Sequence, residues 1–326
     1  SGNFRIGWPA VMSRNADYNA GLISIHPACI LRVAMQTPHR IAAIILTYRP
    51  DQSVLRQAVA SLCPQVERIV IVDNGSRWDA QELLDTLPVA DRDRIEFMWL
   101  DTNIGVGAGH NRGIQWSRAR GFSHVLIMDH DSVPRLDMVR HLVAAMERLD
   151  AQGVQVSAVG PRYVDRYTGR MAGFVRLGPW RPTRVFCDPA QTGELVETDF
   201  IISSGSLIRM TVLDKVGEMN EDFFIDHIDT EWILRAKALG YRSFGVCDAI
   251  MEHSVGFTTF RIWVGRWRNT PLHSPERNYY LFRNSIRLYG MPHAPWRWIL
   301  YDIVRLVALA VVYSVMLETG YNKTDL

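Results

Sequence analysis

The sequence predicts an α/β fold in which a mostly parallel sheet is flanked by helices. Short β-branched runs alternate with apolar residues at helical spacing from about residue 40 to 160, which is the pattern of a parallel sheet covered by helices. The chain has 326 residues, of which 48% are hydrophobic, so it is long enough for one large domain or two small ones. Polar groups follow three of the predicted strands, which is typical of a ligand cleft at one edge of such a sheet.

Four strands and two intervening helices are predicted in the first half of the chain. The strands are Ile41 to Thr47, Arg68 to Asp73, Ile95 to Leu100 and Ser123 to Met128. Leu55, Val59 and Leu62 have helical spacing after the first strand. A short helix is predicted to follow the third strand, next to the glycine-rich run Asn103-Ile-Gly-Val-Gly-Ala-Gly-His-Asn111.

The carboxyl ends of these strands carry polar residues. Thr47-Tyr48-Arg49 follows the first strand, Asp73-Asn74 follows the second and Asp129-His130-Asp131 follows the fourth. Ligands of open α/β sheets bind beyond the carboxyl ends of the strands. The sequence therefore predicts that one cleft contains all three groups.

The second half of the chain is less regular and is predicted to form the acceptor side of the cleft. It contains a strand-like segment from Asp199 to Arg209, a helix from about Asp229 to Leu239 and a short strand near Ser243 to Val246. The tail from Trp296 to Leu317 is mostly apolar but includes Asp302 and Arg305, and its uninterrupted apolar run is shorter than a membrane-spanning helix needs.

An interfacial or docked helix is the preferred interpretation of this tail, and a core or dimer helix is the alternative. Basic residues before and within it would complement anionic lipid. They are Arg261, Arg266, Arg268, Arg283, Arg287 and Arg297.

Charge and cysteine content narrow the class of protein. Lys and Arg total 36 against 34 for Asp and Glu, which gives no broad basic surface, so we expect no nucleic-acid partner. Cys29, Cys63, Cys187 and Cys247 have no short paired spacing, so neither a zinc site nor a disulfide is expected and reduced thiols in a cytosolic compartment are predicted. No secretory signal is evident, and Met35 is a candidate start of the natural chain.

Two carboxylates one residue apart end the fourth strand. We expect at least one of Asp129 and Asp131 to lie in the loop beyond the strand, where a divalent cation can offset their repulsion. Oxygen ligands favour Mg²⁺ or Mn²⁺, which often complete their shell with substrate phosphates. The alternative is a solvated loop, because an Asp-X-Asp sequence is common by chance.

Glycine-rich runs after a strand also open dinucleotide-binding folds. In those folds the glycines follow the first strand and the next strand supplies one acidic residue for the ribose. In this sequence the glycines follow the third strand and the next carboxylates come as a pair, so the order argues against a nicotinamide enzyme.

A second acidic group lies in Phe223-Phe-Ile-Asp-His-Ile-Asp-Thr-Glu-Trp232. Asp226 or Asp229 can simply cap the following helix, because carboxylates stabilise helix N-termini. A carboxylate held at the base of a cleft can also serve as a general base. His253 is a candidate metal ligand, although a lone histidine is more often a hydrogen-bonding residue.

Together these motifs resemble an inverting GT-A glycosyltransferase of family 2, and within it the bacterial rhamnosyltransferases. The resemblance spans about residues 40 to 260 and implies a Rossmann-like GT-A fold with a C-terminal helical extension. The motifs are Ile44-Ile-Leu-Thr-Tyr-Arg49, Val70-Ile-Val-Asp-Asn-Gly-Ser76, the glycine run 103–111, Asp129-His-Asp131, Asp229-Thr-Glu-Trp232, His253-Ser-Val-Gly256 and Arg277-Asn-Tyr-Tyr-Leu-Phe-Arg-Asn284.

We expect the chain to have three regions, of which the resemblance identifies the second. Residues 1–38 are an N-terminal extension, and residues 39–260 are the catalytic domain. Within that domain residues 39–135 bind the nucleotide sugar and residues 136–260 form the acceptor side. Residues 261–326 form a helical region that contacts a membrane surface or a partner.

The resemblance also implies roles for individual residues. Asp129 and Asp131 hold Mg²⁺ or Mn²⁺ with His253, Asp229 is the catalytic base, and Asp226 shares that role because the acid that often precedes the base in the family is replaced by Ile228. Arg235 orients the carboxylates. The nucleotide-sugar-binding residues implied are Thr47, Tyr48, Arg49, Asp73, Asn103, Gly105, Asn111 and Asp129.

The expected reaction is transfer of a single L-rhamnose from dTDP-L-rhamnose to a glycan or lipid-linked glycan of a cell-surface polysaccharide such as lipopolysaccharide. Arg266-Trp267 lacks the Gln that precedes this pair in processive family members. The expected location is the cytoplasm, peripheral to the inner face of the membrane, as a monomer or a homo-oligomer. The alternatives are a UDP- or GDP-sugar donor, a nucleotidyltransferase, or a nucleotide-sugar-binding protein without catalysis.

Overall fold

The computed structural model of the protein describes residues 39–166, 169–178, 181–253, 259–263, 267–271 and 274–318. The expected N-terminal extension 1–38, with Cys29 and Met35, lies outside these residues. So do Arg266 and residues 254–256 of the His253 motif, and of Arg261 and Arg268 only the backbone is described.

The described residues form thirteen strands and nine helices. The strands are β1 Ile41–Thr47, β2 Arg68–Asp73, β3 Ile95–Trp99, β4 His124–Asp129, β5 Val133–Pro134, β6 Val156–Asp165, β7 Phe174–Leu177, β8 Pro182–Val185, β9 Leu195–Thr198, β10 Ser206–Arg209, β11 Arg242–His253, β12 Thr259–Trp263 and β13 Trp267–Pro271. The helices are α1 Gln52–Leu62, α2 Ala80–Asp85, α3 Val89–Arg92, α4 Val106–Ala119, α5 Met138–Ala151, α6 Met210–Val216, α7 Ile228–Ala238, α8 Pro275–Tyr289 and α9 Trp296–Glu318.

Nine of the strands form one mixed, mainly parallel sheet. Its order is β3-β2-β1-β4-β10-β6-β11-β5, and β9 also pairs with β11. Strands β1 to β4 are parallel to one another, as are β6 and β11. Strand β10 is antiparallel to both β4 and β6 and joins the two parallel halves. The predicted α/β class and the mostly parallel sheet are confirmed.

Successive side chains of β1 point alternately into two hydrophobic cores, one on each face of the sheet. Ile41, Ala43 and Ile45 belong to a core that includes α1 and α5, whereas Ile44 and Leu46 belong to a second core that includes α4, α6 and α7. Every residue of β1 is buried, because successive side chains of a strand point to opposite faces and helices cover both.

The first four strands and the helix after β1 lie where the sequence predicts them. Two predictions in the second half are wrong. Residues 199–205 form a loop before β10 rather than part of a strand, because Ser206 donates its backbone N–H to Ser203 in a turn (3.0 Å) and Gly205 has φ +82°. The predicted strand at Ser243 to Val246 continues to His253, with a register shift after Val246.

The expectation of reduced cysteines is also wrong for one pair. Cys187 and Cys247 form a disulfide with an S–S distance of 2.04 Å, and Cys63 is free and buried. The two cysteines are 60 residues apart and meet because Cys247 on β11 donates its backbone N–H to Glu194 at 3.1 Å. Sequence spacing carries no sign of this contact, and the cysteines no longer support a cytosolic compartment.

Helix α9 is buried along one face only. Trp298, Asp302 and Leu306 recur every four residues and are buried, whereas Leu300, Val304 and several neighbours are exposed. Among the described helices we find none whose length and apolar character would let it cross a membrane.

Candidate active site

The ends of β1 and β2 meet at a buried polar contact. Thr47 and Asp73 are register partners in the parallel pair, and the Thr47 hydroxyl donates to Asp73 Oδ1 at 2.9 Å. The indole N–H of Trp78 donates to the same hydroxyl at 3.2 Å. Parallel strands bring their carboxyl ends to one edge of the sheet, so the predicted clustering of these strand ends is present.

Asp73 is largely occupied by the turn that follows it. Its carboxylate accepts hydrogen bonds from the backbone N–H of Ser76 (2.8 Å) and Arg77 (2.9 Å) and from the Ser76 hydroxyl. Tyr48 and Arg49 lie at the exposed side of the same edge, where the Arg49 guanidinium is 5.2 Å from the Tyr48 ring centroid. This edge of the sheet therefore has a buried polar floor, Thr47 and Asp73, and an exposed rim that consists of the Tyr48 ring and the Arg49 guanidinium.

The glycine-rich run is held against the acidic segment around Phe224. Asn74 donates through Nδ2 to Asn103 Oδ1 at 2.9 Å, and the backbone N–H of Val106 donates to Phe224 O at 2.7 Å. Gly105 has φ +92°, and a Cβ on it would lie 2.8 Å from Phe224 O. Any side chain at position 105 would therefore prevent the glycine-rich run from lying this close to Phe224.

We expect Gly105→Ala to destabilise the protein by about 3 kcal/mol, since it adds a steric clash to the cost of a left-handed backbone. Gly153 has φ +72° with nothing within 4 Å of its Cβ position. Gly153→Ala is therefore the matched control, and we expect it to cost about 1 kcal/mol. Urea unfolding of the two variants measures the loss in unfolding free energy. Equal losses would contradict the close approach of Gly105 to Phe224.

Asn111, predicted to contact the nucleotide, is buried and bonded within the protein. Its Nδ2 donates to Met219 O and Glu221 Oε1, both at 2.9 Å, and its Oδ1 accepts from the Met219 N–H at 2.9 Å. These three bonds occupy both ends of the amide. They fix the 219–221 segment on α4, which positions the acidic loop that follows.

The three predicted metal ligands lie together. Asp129, Asp131 and His253 each offer an atom within 4.8 Å of the other two, and His253 Nδ1 is 3.5 Å from Asp131 Oδ1. A serine chain supports them: Asp129 N–H donates to Ser204 Oγ (3.0 Å), Ser204 donates to Ser132 (2.7 Å), and Ser132 Oγ is 2.8 Å from His253 Nδ1. Residues distant in sequence thereby form one cluster.

The charges in this cluster are coupled. Burial raises the pKa of Asp129. Burial also raises the pKa of Asp131, but His253 outweighs it and holds that pKa below its ordinary value. Burial lowers the pKa of His253, whereas Asp131 and Asp129 outweigh it and raise the pKa above its usual range.

The donor set fits a divalent cation such as Mg²⁺ or Mn²⁺. Two carboxylates and one imidazole supply oxygen and nitrogen ligands, and three protein ligands leave positions for water or phosphate oxygens. A cation at this point would also relieve the repulsion between Asp129 and Asp131.

A strained loop leads into α7 and positions the second pair of acids. Asp226 and His227 have φ +63° and +65°, which is uncommon for residues other than glycine. Asn284 on α8 donates through Nδ2 to Ile225 O (2.7 Å) and Asp226 O (3.1 Å), and His227 Nε2 is 2.8 Å from Ser285 Oγ. Helix α8 therefore holds this backbone in place.

Arg277, on the same helix, makes a two-pronged contact with Asp226. Its Nη2 and Nε donate to Oδ1 at 3.0 Å and Oδ2 at 3.2 Å. Burial lowers the pKa of Arg277, but the carboxylates of Asp226, Asp129 and Asp131 outweigh it and raise the pKa. The sequence analysis assigned no role to Arg277 or Asn284, although both stand at the ends of the motif 277–284 that it quoted for the family resemblance.

Asp229 lies in the first turn of α7 with its carboxylate facing a cavity. Burial raises its pKa to about 6, and the nearby negative charges of Asp226 and Asp129 add to the effect. Its Oδ1 accepts the Thr230 N–H at 2.7 Å. A partly desolvated carboxylate with such a pKa is suited to accept a proton near neutral pH.

Arg235, expected to orient the carboxylates, binds Glu231 instead of Asp229. Its Nε and Nη2 donate to the two Glu231 oxygens at 2.9 Å each, and its remaining donors bond Val216 O and Glu218 O. Glu231 is buried. The pair ties α7 to the end of α6.

Two adjoining cavities open beside Asp229. The larger, of about 420 Å³, is lined on one side by Asp226 and Asp229 and on the other by Trp298, Tyr301 and Arg305 of α9, among others. The smaller, of about 200 Å³, is lined by Arg162 and Tyr163 as well as Asp229. They provide room for a substrate on the side of Asp229 that faces α9.

A third cavity, also of about 420 Å³, lies at the opposite edge of the sheet, beside the start of β2. Its Arg40 and Glu67 pair with each other at 2.9 Å. The acidic and histidine side chains that could do chemistry are at the other edge, so we place the candidate site there.

Comparison with known proteins identifies the family of the chain. The family model described as glycosyl transferase family 2 matches residues 42–217. The chain is 28% identical over 286 residues to the dTDP-rhamnosyl transferase RfbF of Shigella flexneri, covering 87% of this chain and 90% of the relative. It is 34% identical over 144 residues to the polyprenol monophosphomannose synthase of Mycolicibacterium smegmatis, covering 44% of this chain and 50% of that protein.

A solved structure shares the fold. It is the crystal structure of GalNAc-T7 with UDP, GalNAc and Mn²⁺, which superposes with a TM-score of 0.55 and 13% sequence identity. The match covers 79% of this chain and 52% of that one. At this identity the likeness concerns the fold alone.

Proposed function

The chain belongs to glycosyl transferase family 2, and on this premise we propose that it is a metal-dependent, inverting enzyme that transfers one L-rhamnose from dTDP-L-rhamnose to a glycan or lipid-linked glycan. It is a glycosyltransferase with the GT-A fold. The observation that carries the proposal is the meeting of the Asp129–Asp131–His253 cluster with Asp229 at one edge of the sheet.

The choice of donor rests on one relative. The similarity to a dTDP-rhamnosyl transferase extends over 87% of this chain, and so includes both the strand ends and the acidic loop. Thr47, Asp73 and the rim of Tyr48 and Arg49 are proposed to receive the base and ribose, with Asn103, Gly105 and Asn111 shaping the adjacent backbone.

In the proposed reaction Asp229 accepts the proton of the attacking acceptor hydroxyl. The acceptor oxygen forms a bond to the anomeric carbon from the face opposite the leaving group, the bond from that carbon to the diphosphate oxygen breaks, and the nucleoside diphosphate leaves with the electron pair. Asp226, held by Arg277, adds negative charge near Asp229 and so keeps it basic.

Asp129, Asp131 and His253 are proposed to hold Mg²⁺ or Mn²⁺, which would offset the charge developing on the departing diphosphate. The negative charges of Asp129 and Asp131 also act on Arg277 and contribute to its raised pKa. Its guanidinium is therefore placed to add positive charge to the diphosphate side of the site.

A donor panel tests the proposal. With Mn²⁺ present, we expect dTDP to raise the melting temperature more than UDP or GDP, and dTDP-L-rhamnose to be consumed in preference to UDP- and GDP-sugars when an acceptor extract is supplied. Omitting Mn²⁺ and adding EDTA should abolish consumption. A preference for UDP or GDP would contradict rhamnosyl transfer, and binding without any sugar release would favour a nucleotide-sugar-binding protein.

We also propose peripheral contact with a membrane surface, because α9 exposes a row of apolar side chains next to the substrate cavity. These are Leu300, Ile303, Val304, Val307 and Val311. Arg297 at the start of the helix and Arg287 on α8 are exposed and would complement anionic lipid.

We expect the double substitution Leu300→Glu with Val304→Glu to lower binding to anionic liposomes at least about 10-fold, since it removes two apolar contacts and adds repulsion. Val89 is 75% exposed on α3, and Val89→Glu is the matched control. Co-sedimentation with vesicles of mixed anionic and neutral lipid measures the effect. Equal binding of all three proteins would count against a membrane role for α9.

A further inference from the structure

Two arginines line the cavities beside the proposed base and have no ion-pair partner among the residues that the structure describes. The smaller cavity beside Asp229 is lined by Arg162 and Arg184, and the larger cavity shares Arg184 and Asp229 with it. The Nε atom of Arg162 is buried and has no hydrogen-bond partner among the described residues. Neither arginine forms a salt bridge within the part of the chain that the structure describes.

Arg305, the remaining arginine that lines these cavities, and the acids Asp226 and Asp302 are already paired. Asp226 is bound by Arg277 at 3.0 Å. Asp302 accepts from Arg305 Nε at 2.6 Å and from the Tyr289 hydroxyl at 2.8 Å. Arg162 and Arg184 are therefore the cationic groups of this region whose donors are left for a ligand.

A buried guanidinium donor without a partner costs free energy that a bound acceptor oxygen can recover. Arginine matches the oxygens of phosphate and carboxylate groups in particular, because its planar fork can donate two parallel hydrogen bonds. Neutral sugar hydroxyls satisfy such a donor less well. The unpaired arginines thus favour an anion over an uncharged group.

We infer that the acceptor carries an anionic group, a phosphate ester or a sugar carboxylate, which binds in the smaller cavity between Arg162 and Arg184. The inference rests on the proposed function and specifies the acceptor for it. Because Asp229 lines both cavities, an acceptor anchored at Arg162 extends past the base toward α9. Tyr301, which is 39% exposed there, offers an aromatic face to a sugar ring.

The test is calorimetric binding of three simple probes without donor and in EDTA, so that no metal site competes for the anion. The probes are glucose 1-phosphate, methyl glucuronide and the neutral methyl glucoside. We expect wild-type protein to bind an anionic probe at least about 10-fold more tightly than the neutral one. Arg162→Gln and Arg184→Gln should each remove most of that preference.

Two further variants control the experiment. Arg181 is exposed just before the hairpin strand that carries Arg184 but lines neither cavity, so Arg181→Gln should bind like wild type. Arg162→Lys keeps the charge and should retain part of the preference, which keeps the test decisive if Arg162→Gln folds poorly.

The probes also identify the source of the anion. Preference for the phosphate would support a phosphorylated, lipid-linked acceptor, and preference for the glucuronide would support an acidic glycan. Equal binding of all three probes by wild type, or an unchanged preference in both glutamine variants, overturns the inference. Thermal shift with dTDP and Mn²⁺ on the same proteins separates this outcome from failure of the proposed function, because that measurement reports only the donor side.

Discussion

Asp229→Asn is expected to lower turnover about 100- to 10,000-fold, the usual contribution of a positioned general base. The amide is nearly the same size as the carboxylate but cannot accept the acceptor proton. It can still receive the Thr230 N–H, which bonds Asp229 Oδ1 at 2.7 Å, so the start of α7 should keep its structure. Binding of dTDP with Mn²⁺ should stay within about twofold of wild type, because the loss is confined to the chemical step.

Two other substitutions define what the result means. Asp85 is 62% exposed on α2, and Asp85→Asn should leave turnover unchanged. Asp226→Asn should lower turnover less than Asp229→Asn, because Asp226 is bound by Arg277 and acts only by keeping its neighbour Asp229 basic. If the ranking is reversed, Asp226 is the base, and near-full turnover of Asp229→Asn removes Asp229 from the mechanism.

The pH dependence of the same reaction gives an independent measurement. The pKa of Asp229 is raised by burial to about 6, so the carboxylate becomes protonated as the pH falls below that value. A protonated base cannot take the acceptor proton, and kcat/KM should fall about tenfold per pH unit below pH 6 and level off above it. Asp85→Asn should give the same profile as wild type, whereas the residual activity of Asp229→Asn should lose this limb.

The first half of the sheet was predictable because its signals are local. Strand β1 is buried on both faces and reads as a continuous apolar run, and a polar residue marks its carboxyl end at Thr47. The clustering of Asp129, Asp131 and His253 was predictable for a different reason, because all three lie in motifs that resemble those of a known family.

The features that escaped prediction depend on contacts between distant segments. The left-handed backbone at Asp226 and His227 is held by Asn284, 58 residues beyond Asp226. No local sequence pattern predicts this backbone conformation. The Cys187–Cys247 disulfide likewise depends on β11 meeting the segment around Glu194. Within the described part of the chain the Nε of Arg162 has no hydrogen-bond partner, which also depends on the placement of distant segments.

The second large effect is expected for Asp131→Asn, which should weaken Mn²⁺ binding at least about 10- to 100-fold and lower turnover at limiting Mn²⁺ correspondingly. The amide keeps one oxygen for coordination but loses the charge that attracts the cation. Excess Mn²⁺ should therefore restore part of the activity, which separates a metal-binding defect from a defect in the base.

A metal-free readout distinguishes loss of a ligand from general disruption of the site. Burial lowers the pKa of His253, and the carboxylates of Asp131 and Asp129 outweigh it, so Asp131→Asn should lower that pKa in the absence of any cation. Nuclear magnetic resonance titration of the histidine follows the change directly. If the variant keeps both the wild-type pKa of His253 and the wild-type Mn²⁺ affinity, Asp131 is not part of the site.

His130 provides the internal control because it lies between the two acids without joining the cluster. Its Nδ1 is 3.2 Å from Leu46 O, on the β1 side, and its side chain is absent from the group of three whose donor atoms converge. His130→Gln should change Mn²⁺ affinity less than about threefold, as expected for loss of a neighbouring group rather than a ligand. A loss as large as that of Asp131→Asn would mean that the cation is held by the strand end as a whole and not by Asp129, Asp131 and His253.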